Sequence, residues 1–499
     1  MSPPVIANQV QLITYVDRLG GGDLAALRGL LAGPLQGLFG GVHLLPFYDP
    51  IDGADAGFDP IDHTRVDPRL GDWTALRALA AEMPVMADVI VNHMSSGSPQ
   101  FQDYLAKGEA SAHDGLFLTL DAVFPQGATE QDLLAIYRPR PGMPFTAATL
   151  ANGQRRLLWT SFTAQQVDID VQHPQGRAYL QGILQTLADA GVSMVRLDAV
   201  GYAIKQAGSS CFMLPETLAF IDAFAARARS LGLAVLVEIH AHHQQQINIA
   251  SRVDWVYDFA LPPLALHSLF TGSTAALKHW ISIRPANALT VLDTHDGIGV
   301  IDIGADAADR AGLPGLVSPQ ELDALVREIH QRSGGQSQMA TGAAASNQDL
   351  YQDNCSFYDA LGRDDWAYLA ARALQFFLPG VPQVYYVGLL AGHNDMDLLA
   401  ASGVGRDINR HRYSPAEVAE QLQRPVVQDL LRLIRLRNQH PAFGGQFSLL
   451  PSDGQTLLLR WRLGEHAASL LLAPQARSCE IMLSGPAGEQ QHLLRALPA

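Results

Sequence analysis

Residues 193–202 read SMVRLDAVGY, with Arg196 and Asp198 two apart inside an otherwise apolar run. Met194, Val195, Leu197 and Val200 make the run strand-like, and on a strand residues i and i+2 share a face. A buried charge without a partner is too costly to be incidental. The pair is therefore either a structural ion pair at a strand end or a carboxylate with the cation that aims it. Other segments bear on the choice. VMADVIVNH ends in Asn92 and His93, AVLVEIH carries Glu238 and His240, and ALTVLDTHD ends in His295 and Asp296. Structural pairing alone does not deliver ionisable groups to four strand ends. Three carboxylates, Asp198, Glu238 and Asp296, need separate roles if they converge. Glycoside chemistry offers such roles: one carboxylate attacks the anomeric carbon, another protonates the leaving oxygen, and their separation sets the stereochemical outcome.

Elements that could bring these residues together are legible in the patterning. Short β-branched runs alternate with helical patterns along the chain, the signature of parallel βα units. Strands are expected near 11–16, 41–47, 85–93, 194–200, 234–239, 255–261, 288–296 and 381–387. Eight such strands predict an α/β fold, a (β/α)8 TIM barrel whose active site lies at the C-terminal strand ends. A doubly wound open sheet is the alternative, but no Gly-rich dinucleotide fingerprint follows an early strand. Two connections are too long for one helix with its loops. They predict inserted subdomains at 94–172 and 298–362, the second containing the helical SPQELDALVREIHQRS. The barrel then occupies 1–93, 173–297 and 363–442, and a small C-terminal β domain spans 443–499.

Composition narrows the class. Over 499 residues the formal net charge is -15, which argues against nucleic acid or an anionic membrane as partner and means that an anionic substrate needs local arginines. Three scattered cysteines, Cys211, Cys355 and Cys479, make neither a disulfide framework nor a thiolate metal site, and fit a reducing cytoplasm. The N-terminal MSPPVIANQVQLITYV has no basic stretch, so no signal peptide is expected. Leu374–Gly392 is uncharged for 19 residues but broken by Pro379, Gly380 and Pro382, and reads as a helix end, a turn and a buried strand rather than a membrane span.

DVIVNH (88–93), VRLDAV (195–200), the strand ending in Glu238 and LDTHD (292–296) resemble the four ordered signature segments of the α-amylase clan, glycoside hydrolase family 13. More narrowly, QLITYVDRLGGG, GADAGFDPIDHT, YRPRPGMPFT, RLDAVGYAIKQAGSSCF, VLDTHDGIGVIDIG, TGAAASNQDLYQ and GRDINRH resemble the sucrose phosphorylase family, over about residues 10–415.

That resemblance implies reversible transfer of glucose from sucrose to inorganic phosphate, giving α-glucose 1-phosphate and fructose with retention. Asp198 would be the nucleophile, Glu238 the acid and then base, and Asp296 the stabiliser of the oxocarbenium-like transition state. Asp55 and Arg406 would grip the far glucose hydroxyls, and His93 and His295 the nearer ones. Arg196 would orient Asp198, and Phe58 would stack on the ring, with Phe162 and Gln166 completing the glucose set. Arg140, Tyr202, His240, Asp349, Leu350, Tyr351 and Gln352 would serve fructose and phosphate. Arg138 and Arg140 lie in RPRPG, where prolines stiffen the backbone and leave a guanidinium free. TGAAASNQDLYQ has the small-residue composition of a loop that can move. No cofactor and no metal are implied, and a homodimer is left open.

Rival readings follow from the same residues. Phosphorylases of sucrose 6'-phosphate, glucosylglycerol or glucosylglycerate share these motifs. A metal-dependent barrel hydrolase could use Glu238, His240 and His242, although no fourth ligand is evident. A non-catalytic sugar-binding barrel would not need all three carboxylates.

Overall fold

A computed structural model describes residues 6–494 except 54, 139–141, 307–311, 343–349 and 487. All eight expected strands form: β1 (Gln11–Thr14), β2 (Val42–Leu44), β3 (Val85–Ile90), β4 (Met194–Asp198), β5 (Ala234–Val237), β6 (Trp255–Asp258), β7 (Ala288–Thr290) and β8 (Val381–Tyr385). Every neighbouring pair is parallel and β1 pairs with both β2 and β8, so the sheet closes into a barrel and the open-sheet alternative falls. Continuous Val, Leu and Ile runs suit strands buried on both faces, as β3 is throughout.

The strands are shorter at their C-terminal ends than the apolar runs suggest. β3 stops at Ile90, β5 at Val237 and β7 at Thr290. Asn92, His93, Glu238, His240, His295 and Asp296 therefore stand beyond the ladder, on the rim. The last register pair of β7 is Thr290 with Pro382, which has no N–H to donate. His93 belongs instead to a short strand, His93–Ser95, paired antiparallel with Gln166–Asp168.

Helices cover the barrel. Pro174–Asp189 starts with proline in its first turn and buries Leu180, Ile183, Leu184 and Leu187, an i, i+3, i+4, i+7 stripe. Pro319–Arg332 opens with a capping box between Ser318 and Glu321. The uncharged stretch near 374–392 divides into the end of the helix Asp365–Phe377, a turn and β8. At that turn Gly380 has φ +107 and its Cα faces the carbonyl of Ala288 so closely that a Cβ would lie 2.0 Å from the oxygen. No helix among the described residues is long and apolar enough to cross a membrane.

Between β3 and β4 lie the hairpin Phe145–Thr149 with Arg155–Trp159 and most of a small apolar cluster, Leu118, Phe124, Ile136 and Trp159, which Cys211 joins from beyond β4. After the last barrel helix comes a five-stranded antiparallel sheet, Gln446–Leu450, Leu457–Leu463, His466–Ala473, Ser478–Gly485 and Gly488–Leu494. Leu457, Leu459 and Trp461 alternate inward, and the Trp461 indole N–H donates to the Phe377 carbonyl at 2.7 Å, pinning sheet to barrel.

Candidate active site

Arg196 and Asp88 are register partners on β4 and β3, so their side chains emerge together on one face. Nη1 of Arg196 lies 2.5 Å from Asp88 Oδ1 and 2.8 Å from Asp198 Oδ1, while Nη2 reaches Glu238 Oε2 at 3.8 Å. One buried guanidinium thus joins three carboxylates, one within β3, one at the end of β4 and one just beyond β5. Asp88 is fully buried and is also held by His43 Nε2 at 2.9 Å; the Tyr48 hydroxyl donates to its backbone carbonyl at 2.6 Å. Burial pushes the Asp198 carboxyl above the usual carboxylate range; Arg196 opposes this, and the charges of Glu238, Asp88 and Asp296 add to it. Ala199 follows in the left-handed region, φ 54, and turns the chain away so that the carboxylate ends β4 at the rim.

Asp296 faces a second cationic group. Arg406 Nη1 lies 2.8 Å from Asp296 Oδ1, and Arg410 Nη2 lies 3.9 Å from the same oxygen. Burial works against ionisation of Asp296, but Arg406, with His295, His240 and Arg410, outweighs it and holds the carboxyl below its usual range. Arg410 is completely buried, its Nε donates to the His295 carbonyl at 2.9 Å, and its Nη1 reaches Asp55 Oδ1 at 3.8 Å. The His295 ring stacks on Phe58, with centroids 4.6 Å apart and planes 10° apart, and burial pulls its pKa down to about 3. Burial thus favours the uncharged ring, which offers one donor and one acceptor to hydroxyls.

His93 Nε2 lies 3.0 Å from both the Phe58 carbonyl and Gln166 Nε2, and its ring is 5.2 Å from Phe162. Aromatic contacts continue from Phe162 to Tyr202 at 5.1 Å, from Tyr202 to Phe212 at 4.7 Å and from Phe212 to Tyr137 at 4.6 Å. The outer end of this wall meets a cavity of about 270 Å³ lined by Tyr137, Phe212, Met213, His242 and Gln245 among others.

His240 lies 3.7 Å from Glu238 Oε1 through Nε2, stacks on Phe259 at 3.8 Å and meets Tyr351 edge-on at 5.5 Å. Gln352 and Asp353 form a short strand against Ile298–Gly299, and the Gln352 carboxamide oxygen accepts from Arg406 at 3.2 Å. Leu350 is buried beside them. Arg140 and Asp349 lie outside the described residues. Arg138 is exposed and donates to the Gly142 carbonyl at 2.9 Å.

Among the described residues, two places bear on cation binding. Lys205 Nζ stands 2.6 Å from Asn92 Oδ1 and 2.5 Å from Asp168 Oδ2, so the DVIVNH asparagine already has an ammonium beside it. Glu238, His240 and Asp296 offer ligand atoms within 4.8 Å of one another, whereas His242 turns away, its Nε2 3.0 Å from the Pro314 carbonyl and its Nδ1 accepting from Gln244 N. Arg406 already occupies one oxygen of that trio.

Residues 35–260 match the α-amylase catalytic domain. The chain is 59% identical over 478 residues to a sucrose phosphorylase from Agrobacterium vitis, covering 96% of this chain and 97% of that one. A sucrose phosphorylase from Bifidobacterium adolescentis is 55% identical over 468 residues, covering 94% and 92%. The chain belongs to the sucrose phosphorylase family. Its fold superposes on the crystal structure of a sucrose 6F-phosphate phosphorylase from Thermoanaerobacter thermosaccharolyticum with a TM-score of 0.90 at 36% identity, over 99% of this chain and 100% of that one.

Several residues that the structure brings to this candidate site carry no signal at a strand end. Asp88 sits within DVIVNH, but looked like one polar residue inside a strand. Arg410 lies in GRDINRH four residues after Arg406 and caps the short 3-10 helix Gly405–Asn409 that carries it. Asp302 and His43 have no local sign at all, because their partners are distant in sequence.

Proposed function

We propose that this protein is a sucrose phosphorylase, working by retaining double displacement. The observation that carries the reading is the sharing of Arg196 by Asp198 and Glu238 in a chain 59% identical to a sucrose phosphorylase over nearly its whole length. Asp198 attacks the anomeric carbon of the glucosyl unit while Glu238 gives its proton to the departing fructose oxygen. The C1–O bond to fructose breaks as the ester to Asp198 forms. Asp296 stays ionised and stabilises the positive charge that develops on the ring. A phosphate oxygen then attacks C1, the ester breaks, and α-glucose 1-phosphate leaves. Glu238 acts as base for acceptors that carry a proton, and other hydroxyl acceptors would be glucosylated by the same step.

Phe58, His93, His295, Phe162 and Gln166 form the glucose pocket in this reading, with Asp55 and Arg406 at its far end and Arg410 bracing both Asp55 and Asp296. Tyr202, His240, Leu350, Tyr351 and Gln352, with Arg140 and Asp349, form the acceptor side, to which the insertions at 94–172 and 298–362 contribute. The three buried free thiols fit a cytoplasmic location.

The test is direct. Purified protein given sucrose and inorganic phosphate produces α-glucose 1-phosphate and fructose; if only sucrose 6'-phosphate is consumed, the related activity of the Thermoanaerobacter protein replaces this one.

A further inference from the structure

The single turn Ile301–Ile303 that follows Gly299 carries a fully buried carboxylate, Asp302, to which the roles above assign nothing. Its Oδ2 lies 2.8 Å from His240 Nδ1, and its Oδ1 accepts from Gln246 Nε2 at 2.9 Å and from the Ala241 N–H at 3.3 Å. Among the described residues its ion-pair partner is His240. The backbone is shaped around this contact. A Cβ on Gly299 would lie 2.1 Å from Asp302 Oδ2 and 2.8 Å from His240 Nδ1, so a side chain there would push the pair apart. His240 Nε2, by contrast, is buried and, among the described residues, has no hydrogen-bond partner, Glu238 Oε1 standing 3.7 Å away.

We propose that Asp302 is a positioning residue for the anionic acceptor: by holding Nδ1 it turns His240 Nε2 toward the acceptor side and supplies the countercharge with which the ring presents an N–H to phosphate. The inference rests on the phosphorylase reading and deepens it. Phosphate must enter a chain of net charge -15 and approach Glu238 and Asp296, both of which face His240. Phe259 and Tyr351 cover the other faces of the ring and bring no cation. An imidazolium anchored by Asp302 on the far side of the ring keeps its positive end and one N–H toward the incoming phosphate, and this local donor works against that repulsion at the point of attack. Burial alone would drive His240 toward its neutral form; Asp302 first, then Glu238 and Asp296, reverse the direction. Water and sugar hydroxyls are neutral and need no such cation. Asp302 therefore biases the glucosyl ester toward phosphate.

The experiment compares Asp302→Asn with the parent enzyme in three readouts. Phosphate KM should rise about tenfold or more, and the ratio of glucose 1-phosphate to free glucose at fixed phosphate should fall by a similar factor. The burst of fructose that reports ester formation should change less than about threefold. The alkaline limb of phosphorolysis should also move to lower pH, because His240 without its countercharge loses its proton sooner. A merely structural role would lower all activities together and leave the limb in place. Should Asp302→Asn fail to fold, nitrogen-15 histidine resonances of the parent enzyme with phosphate give the answer, assigned by comparison with His240→Gln. A doubly protonated His240 at pH 7 supports the inference and a neutral one overturns it. If the parent enzyme makes no glucose 1-phosphate from sucrose, the phosphorylase reading fails; if it does and Asp302→Asn keeps its phosphate KM and product ratio within twofold, only the role of Asp302 falls.

Discussion

Arg196 gives one nitrogen, Nη1, to two carboxylates: Asp88 at 2.5 Å and Asp198 at 2.8 Å. Asp88 is sealed from solvent and Asp198 stands at the rim, so the inner carboxylate competes with the candidate nucleophile for the same positive charge.

This competition makes the pH profile of ester formation a test. Asp198 must be ionised to attack, and burial together with the neighbouring charges of Glu238, Asp88 and Asp296 places its titration above the ordinary carboxylate range. Replacing Asp88 by Asn removes one of those charges and frees Arg196 for Asp198. The acid limb of the fructose burst should then move down by about one pH unit, equivalent to ~1.4 kcal/mol. A move to higher pH would show that Asp88 supports Asp198 rather than competing with it.

Asp198→Asn should lower turnover of both sucrose and α-glucose 1-phosphate by about 10⁴-fold, ~5 kcal/mol of transition-state stabilisation, since both reactions pass through the same ester. Glu238→Gln should be selective. Its loss should be large for sucrose and small for α-glucosyl fluoride, whose leaving group needs little acid assistance. Equal losses on the two donors would remove Glu238 from the acid role.

Lys205 provides a stability prediction. Its ammonium lies between Asn92 Oδ1 and Asp168 Oδ2 and is itself buried. Lys205→Met leaves Asp168 with its charge uncompensated except by the Ser161 hydroxyl and N–H, and should cost about 3–5 kcal/mol in chemical denaturation. Chelators should leave the activity of the parent enzyme unchanged, and a loss that added calcium restores would require a metal site elsewhere.

Buried histidines make stability depend on acid. His63 is fully buried, lies 2.6 Å from the Tyr179 hydroxyl through Nδ1, and has its pKa lowered from 6.5 to about 3 by burial, with His93 adding to the effect. Between those values the unfolded chain binds the proton and the folded chain does not. Stability from this site is therefore complete above pH 6.5 and declines as pH falls toward 3, by about 1.4 kcal/mol per pH unit. His63→Gln keeps an acceptor for Tyr179 and should flatten the slope of unfolding free energy between pH 6 and 4 by that amount; an unchanged slope would mean that His63 is protonated in the folded state.

How much of this was legible in the chain depends on the range of the interaction. Alternation of β-branched runs and helical stripes needs only neighbours in sequence, which is why the eight strands and the helix of SPQELDALVREIHQRS could be read directly. The pairing of Arg196 with Asp198 was readable for the same reason, since two residues apart on a strand is a local geometry. The strand ends were not readable, because a ladder stops where its partner strand stops, and that partner is remote in sequence. His295 and Asp296 thus moved from the end of β7 to the rim beyond it. Motif order alone pointed to Asp198, Glu238 and Asp296. Tertiary structure decided which charges meet them: Asp88 crossing from β3 to Arg196, Arg410 reaching Asp296 and Asp55 through its two terminal nitrogens, Lys205 closing on Asn92 and Asp168, and Asp302 on His240. A buried charge must find its countercharge in three dimensions, and desolvation makes that demand strict, but nothing in the linear order of residues says where the partner will come from.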